Sequence, residues 1–399
     1  MRFASRALCG VSASLSVASA LTEADGEAKY ARDLARMQRA RSLPPLPPRP
    51  GTVTVVPRGP PPLASSVLDL IGNTPLVELR SLSRATGRRI LVKCEFLSPG
   101  GSVKDRAALS IVRAAEEAGK LENGAALVEA TGGNTGIALA LISAVLGIDT
   151  TLTMPPATSN EKVALSRGLG AKVEVCPAVP FDSPRHYYSR AGAIAAETGA
   201  FWTNQFENTE NAAAHYETTG PEIWAQAEGK VDAIALSSGT GGTIGGLSKF
   251  LREKNPALKI FLIDPAGSSL ASYLNKKGLI PSPGSSISEG VGIGRITANF
   301  SLADRCGIDA VFDGDDKETV DMAYYLLRKE GMWVGPSAAM NVVAAVKAAR
   351  LCPPGSTVVT ILCDSGARYA SKLYDETFLS ERGFVVSPSV LRGEPPEIK

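Results

Sequence analysis

The residues of this chain that could do chemistry sit in short glycine-rich loops. Lys104 stands in the run SPGGSVKDR, behind Gly100, Gly101 and Ser102, directly after the apolar stretch 90–97. A solvated lysine needs no such preparation, whereas glycines let the backbone pass close to a partner. A second loop, Gly239-Thr240-Gly241-Gly242-Thr243, lies between an apolar run and a helical one. Strand, glycine loop, helix aims free backbone N–H groups and a positive helix end at a phosphate, and the two threonines add hydroxyls. A third loop, Thr131-Gly132-Gly133-Asn134-Thr135-Gly136, has the same setting and suits a carboxylate. Ser337 opens a helix after Gly335-Pro336.

Each feature also has a plain structural reading. The second loop could be a tight turn, the third a capping turn, and Ser337 an N-cap. The phosphate reading can be narrowed. Ile244 occupies the third glycine's place of a G-x-G-x-x-G fingerprint, and no P-loop occurs. Asp264 ends the following apolar run as a ribose-binding acid would, so a dinucleotide stays open, but the spacing favours a smaller phosphorylated group.

The elements that must hold these loops alternate. Short apolar runs at 90–96, 126–130, 150–154, 172–176, 200–204, 233–236, 259–264 and 357–363 predict strands. Longer segments at 137–146, 160–169, 191–198, 221–227, 244–254, 317–330, 338–350 and 368–374 predict helices. Such alternation implies α/β architecture, with parallel sheets covered on both faces and a ligand near the strand ends. The length of 399 residues suits two domains. A net charge of +2 gives no electrostatic case for nucleic acid or a membrane surface, and no run approaches bilayer-spanning length. Six scattered cysteines without a CxxC pair, and only two histidines, leave little for a zinc site. Cys94, Cys176 and Cys363 lie in apolar runs and read as buried thiols.

Residues 1–63 differ from the rest. They carry Arg2 and Arg6 with no acid before Glu23, then further basic residues, then the proline-dense LPPLPPRP and PPP runs. This composition predicts a targeting segment and a proline-rich linker outside the fold, addressed to an organelle, a mitochondrion ahead of a plastid. A secretory signal and a cytoplasmic protein with an unaddressed tail are the rivals.

Taken together, GSVKDR, GGNTG, TTGPEIW (218–224), SGTGGT and the GPS loop resemble the fold-type II pyridoxal-phosphate enzymes. Within them the likeness is to the cysteine synthase (O-acetylserine sulfhydrylase) family, close to the cystathionine β-synthase catalytic core. It runs from Ile71 to Tyr369, roughly three quarters of the chain, with all five motifs in family order. The resemblance implies a two-domain fold like the tryptophan synthase β chain, with the cofactor between the domains. A large domain would take 64–97 and 209–382, a smaller closing domain 98–208, and a tail 383–399.

By the same resemblance Lys104 forms the Schiff base with pyridoxal 5'-phosphate, and Gly239, Thr240, Gly241, Gly242 and Thr243 cradle its phosphate. Asn134 meets the ring hydroxyl and Ser337 the ring nitrogen. Thr131, Gly132, Thr135 and Gln205 hold the substrate, and Gly290, Val291 and Gly292 lie close to the cofactor. The implied reaction makes L-cysteine from O-acetyl-L-serine and sulfide through an α-aminoacrylate, with Lys104 as base. A homodimer and a serine acetyltransferase partner are also implied. Gly132 replaces the family's usual serine, which leaves the leaving group and sulfur donor open. Cystathionine synthesis, or use of O-phosphoserine or thiosulfate, is the related alternative. A cofactor-holding regulator of serine acetyltransferase and a dinucleotide-binding dehydrogenase are alternatives of other classes.

Overall fold

The computed structural model describes residues 63–122 and 125–399, so the targeting segment and linker read at 1–63 lie, apart from Leu63, outside the described residues. Its strands, in chain order, are β1 (Leu76–Glu78), β2 (Arg89–Lys93), β3 (Leu127–Ala130), β4 (Thr150–Met154), β5 (Lys172–Val175), β6 (Phe201–Trp202), β7 (Ala233–Ser237), β8 (Lys259–Pro265), β9 (Ala310–Gly314) and β10 (Thr357–Ile361). They form a six-stranded sheet in the order β1-β2-β10-β7-β8-β9 and a four-stranded sheet in the order β5-β4-β3-β6. Among these strands β1 and β2 pair antiparallel and the other strand pairs are parallel. The α/β expectation with parallel, covered sheets therefore holds.

Side chains alternate across each strand, and the two faces go to different cores. In β7, Ala233 and Ala235 face one core, which includes the buried helix Pro336–Leu351. Ile234 and Leu236 face the other, with Ile244, Leu247 and Leu251 of the helix Gly242–Lys254. The C-terminal stretch closes on the first core, where Val390 and Ile398 are buried.

Some elements differ from the sequence reading. β1 and β9 are short edge strands with half-buried residues, too weakly patterned to stand out. The helix Lys104–Glu117 stands outside the expected set, although its buried Ala107, Ala108, Ile111, Val112 and Ala115 recur at helical spacing. The helix expected at 368–374 is instead a short 3-10 turn, Gly366–Tyr369. There Arg368 and Tyr369 bond to groups elsewhere in the chain rather than continuing a helical face.

Strand β10 ends at Ile361 rather than 363, so Cys363 emerges beyond the sheet. It is half-buried and lines the central cavity, whereas Cys94 and Cys176 are buried as expected. Asp264 Oδ2 accepts from the backbone N–H of Ala271 at 2.7 Å, which ties it to the short helix Leu270–Leu274, and Asp264 is not among the residues lining the central cavity.

Candidate active site

The parallel strands end on a common cavity of about 410 Å³. Lys104, Thr131, Gly132, Asn134, Thr135, Gln205, Gly239, Thr240 and Ser337 all line it, so most of the sequence-selected residues converge. Gly290, Val291 and Gly292 line it as well. A smaller space of about 30 Å³ shares Lys104, Gly239 and Thr240 with that cavity and adds Gly241, Thr243, Ser238 and Asn341. Gly242 lines neither; it begins the helix and packs on Asn211.

Lys104 is the first residue of its helix, and the loop before it is pinned. Val103 N–H donates to the Cys363 carbonyl at 2.8 Å, and Gly100 N–H donates to Asp105 Oδ2 at 2.6 Å. Gly101 has φ +75°, a conformation that strains other residues, and a Cβ there would sit 2.9 Å from the Arg368 guanidinium. Two residues on, Arg106 is buried between Glu95 (2.8 Å) and Glu222 (2.7 Å), and Lys93 reaches Glu222 at 2.6 Å. This ion cluster anchors the lysine helix to β2. Burial pushes the Lys104 amine below its ordinary value. The neighbouring Cys363 and Asp364 push the other way, and the Lys162 charge adds to the lowering. A lowered value favours the neutral, nucleophilic amine.

At its glycines the 239–243 loop is packed so closely that a side chain would not fit. A Cβ on Gly239 would lie 2.2 Å from the Gly290 carbonyl oxygen, and one on Gly241 would lie 2.4 Å from the Phe300 nitrogen. The hydroxyl of the buried Ser238, at the same strand end, has no partner among the described residues. Behind it, Asn341 accepts from the backbone N–H of Ser237 at 2.7 Å, and the helix Gly242–Lys254 points its first turn at the small space. An orphaned hydroxyl, free N–H groups and a helix N-terminus make an anion cradle.

On the opposite wall the 131–135 loop follows β3. Thr135 donates to Gln205 Oε1 at 2.5 Å, and Gln205 in turn donates to the Ala130 carbonyl at 2.9 Å. Thr131 Oγ1 accepts from the Gly133 N–H at 3.0 Å. Gly132 differs from its neighbours, because a Cβ there would meet nothing within 4 Å. The Asn134 amide donates to Asp364 at 2.7 Å and accepts from Arg368 at 2.5 Å.

Several lining residues escaped the sequence reading. Asn341 shares a helix face with Ser337 at i, i+4, a signal that would have found it. Lys162, Tyr187, Phe206, Glu289 and Arg295 come from scattered segments with no local signature.

The lysine, anion cradle and polar loop between two parallel sheets define a class of cofactor-dependent α/β enzyme. Residues 67–364 match the family model described as pyridoxal-phosphate dependent enzyme, and this chain belongs to that family. It is 48% identical over 322 residues to cysteine synthase 1 of Emericella nidulans, across 80% of this chain and 87% of that one. A Saccharomyces cerevisiae cysteine synthase whose name carries the word mitochondrial is 40% identical over 330 residues, 78% of this chain and 84% of that one. A solved O-acetylserine dependent cystathionine beta-synthase from Helicobacter pylori matches at TM-score 0.71 and 32% identity, over 78% of this chain and 98% of that chain.

The cofactor of the family is pyridoxal phosphate, and the residues present fit it. The orphaned Ser238 hydroxyl and the small space lined by Gly239, Thr240, Gly241 and Thr243, whose two glycines are packed against neighbouring backbone, suit its phosphate. Lys104, lining both spaces with its amine shifted toward neutrality, suits its aldehyde.

Proposed function

We propose that this chain makes L-cysteine from O-acetyl-L-serine and sulfide by pyridoxal-phosphate dependent β-replacement. The observation that carries this reading is the cavity that gathers Lys104, Gly239, Thr240, the 131–135 loop and Ser337, in a chain 48% identical to a cysteine synthase. When bound, the cofactor supplies the electron sink that makes an amino acid's α-proton removable and its β-substituent a leaving group.

The chain's own residues do the rest. Lys104 Nζ holds the cofactor and, once released, takes the proton at the substrate α-carbon and later returns it. Gly239, Thr240, Gly241 and Thr243, with Ser238, bind the phosphate, and Gly242 starts the helix behind them. Asn134 offers an amide hydrogen to the ring hydroxyl. Ser337 presents a hydroxyl rather than a carboxylate to the ring nitrogen, so no neighbouring charge holds a proton there. Thr131, Thr135, Gln205 and the N–H groups around Gly132 orient the α-carboxylate. Tyr187 and Phe206 give the cavity an apolar wall that limits water.

In this reading residues 98–208, with the four-stranded sheet, form the smaller unit that closes on the substrate. Residues 64–97 and 209–382 form the larger one. A homodimer and docking to serine acetyltransferase rest on family resemblance alone. Delivery to mitochondria is supported by the basic, acid-poor start of the sequence and by the yeast relative's name. Among the described residues no helix is long and apolar enough to cross a membrane.

Cystathionine formation from the same donor is the second reading, favoured by the open space at Gly132 and by the Helicobacter pylori structure. The test is product analysis of purified holoenzyme given O-acetylserine with sulfide or with homocysteine. Cysteine from the first pair supports the proposal. Cystathionine without cysteine moves the assignment to the second reading, and no product from either pair overturns both.

A further inference from the structure

A second lysine faces the same cavity. Lys162, on the helix Asn160–Gly168, is only 1% exposed, and its stem runs beneath the 131–135 loop. The loop is built around that stem. Gly133 has φ +133°, and a Cβ on it would lie 2.3 Å from Lys162 Cδ. The ammonium leaves the four-stranded side and bonds across the cavity rim to Glu289 Oε2 at 2.6 Å and to the Tyr369 hydroxyl at 3.0 Å. It also lies 4.4 Å from the Tyr369 ring centroid. Tyr369 passes the contact on by donating to Asp364 Oδ2 at 2.7 Å, the same oxygen that accepts from Asn134.

This chain of bonds decides how Asn134 faces the cavity. A guanidinium can only donate and a carboxylate only accept, so Arg368 and Asp364 together allow one orientation of the Asn134 amide. One amide hydrogen is committed to Asp364, which leaves the other for a group in the cavity. The Asp364 backbone is held by Gly335 and by its bridge to Ser102, and its carboxylate is held by Tyr369, itself steadied by Lys162. Lys162 therefore touches three parts of the site at once: the substrate loop through its stem, the glycine segment through Glu289, and Asn134 through Tyr369 and Asp364.

The geometry points to Lys162 as a positioning residue that sets the Asn134 amide and the 131–135 loop for cofactor and substrate. The inference rests on the cofactor-site reading above. Charge-assisted, buried hydrogen bonds of this kind are worth more than exposed ones, because water cannot replace them.

The test uses holoenzyme carrying Lys162→Met, Lys162→Arg, Tyr369→Phe or Asn134→Ala. Three quantities are read: the cofactor's visible absorption band, its dissociation constant by absorbance titration, and KM for O-acetylserine. Lys162→Met is expected to weaken cofactor binding and raise KM by about tenfold each, as loss of a charged hydrogen bond implies. It should also shift the band in the same direction as Asn134→Ala. Lys162→Arg keeps the charge and should restore most of each value, and Tyr369→Phe should reproduce part of the band shift. If Asn134→Ala alters the band while Lys162→Met leaves band, affinity and KM within about twofold of the parent, the inference is overturned. If Lys162→Met does not fold, Tyr369→Phe decides, and an unchanged band overturns the inference. If Asn134→Ala itself leaves the band unchanged, the site reading falls and this inference falls with it.

Discussion

Asn134 and Asp364 meet across 2.7 Å, amide donor to carboxylate acceptor, although 230 residues separate them in the chain. The bond joins the first turn of the helix Asn134–Leu146, beside the four-stranded sheet, to the segment that follows the last strand of the six-stranded sheet. Asp364 Oδ2 also accepts from Tyr369, so one carboxylate oxygen organises two side chains of the site.

Replacing that carboxylate should therefore disturb both. Asp364→Ala leaves the Asn134 and Tyr369 donors without their acceptor, which implies a loss of about 1–3 kcal/mol in stability. We expect kcat/KM to fall about tenfold or more as the Asn134 amide loses its orientation. Steady-state kinetics beside urea unfolding checks both, and parental values in each would refute the assignment.

At the anion cradle, Gly239→Ala would place a methyl group 2.2 Å from the Gly290 carbonyl oxygen. Backbone cannot yield as a flexible side chain can, so the loop must shift away from the phosphate position. Cofactor affinity should drop by about tenfold or more, read by absorbance titration. Unchanged affinity would show that the loop holds something else.

Gly132→Ser is expected to behave in the opposite way. The added side chain enters open space, so the unfolding free energy should match the parent within about 0.5 kcal/mol. Gly132 lines the cavity, so the added hydroxyl becomes available to a substrate there, and the ratio of kcat/KM values for O-acetylserine against other β-substituted alanines should change. An unchanged ratio would remove Gly132 from the specificity determinants.

Asp105 gives a pH signature. Burial raises its carboxyl to about 7, against the lowering hydrogen bond from the Gly100 N–H. A carboxyl whose folded-state value exceeds its unfolded one favours the folded state when protonated. Its contribution to stability therefore falls as pH rises from the ordinary carboxylate range through about 7. Asp105→Asn keeps an acceptor for Gly100 but cannot titrate. The difference in unfolding free energy between the two proteins should then vary across that window and level off above it. A flat difference would contradict the burial argument.

The ion cluster under the lysine helix gives the reverse slope. Burial pushes the Glu222 carboxyl up, but bonds and charge from Arg106 and Lys93 outweigh it and hold the group at about 2. That contribution is present above the unfolded carboxylate value and is lost as pH falls through about 2. Arg106→Met strands Glu95 as a buried charge and leaves Glu222 to Lys93 alone, and should cost about 3–5 kcal/mol. Chemical denaturation at neutral pH measures it, and a loss below about 1 kcal/mol would mean that the cluster relaxes into water.

Much of the site is readable in order along the chain. Lys104, the 239–243 loop and the 131–135 loop each follow a short apolar run, and a parallel strand must end where its loop begins. Gly133, Gly239 and Gly241 announce themselves because the backbone there runs so close to its neighbours that a side chain has no room. Ser337 is legible for a related reason, since Gly335 and Pro336 mark the helix start.

What the chain order cannot show is which strand ends become neighbours. β10 inserts between β2 and β7, and this brings Cys363 and Asp364 beside Lys104. Lys162, Glu289 and Tyr369 carry no local pattern, because their pairing joins a helix, a loop and a turn that lie far apart in the chain. Local sequence thus determined the loops and the chemistry that they can offer, since backbone geometry and helix ends act over a few residues. Tertiary structure alone decided the charges around them and the orientation of Asn134, because those depend on contacts between segments that lie far apart in the chain.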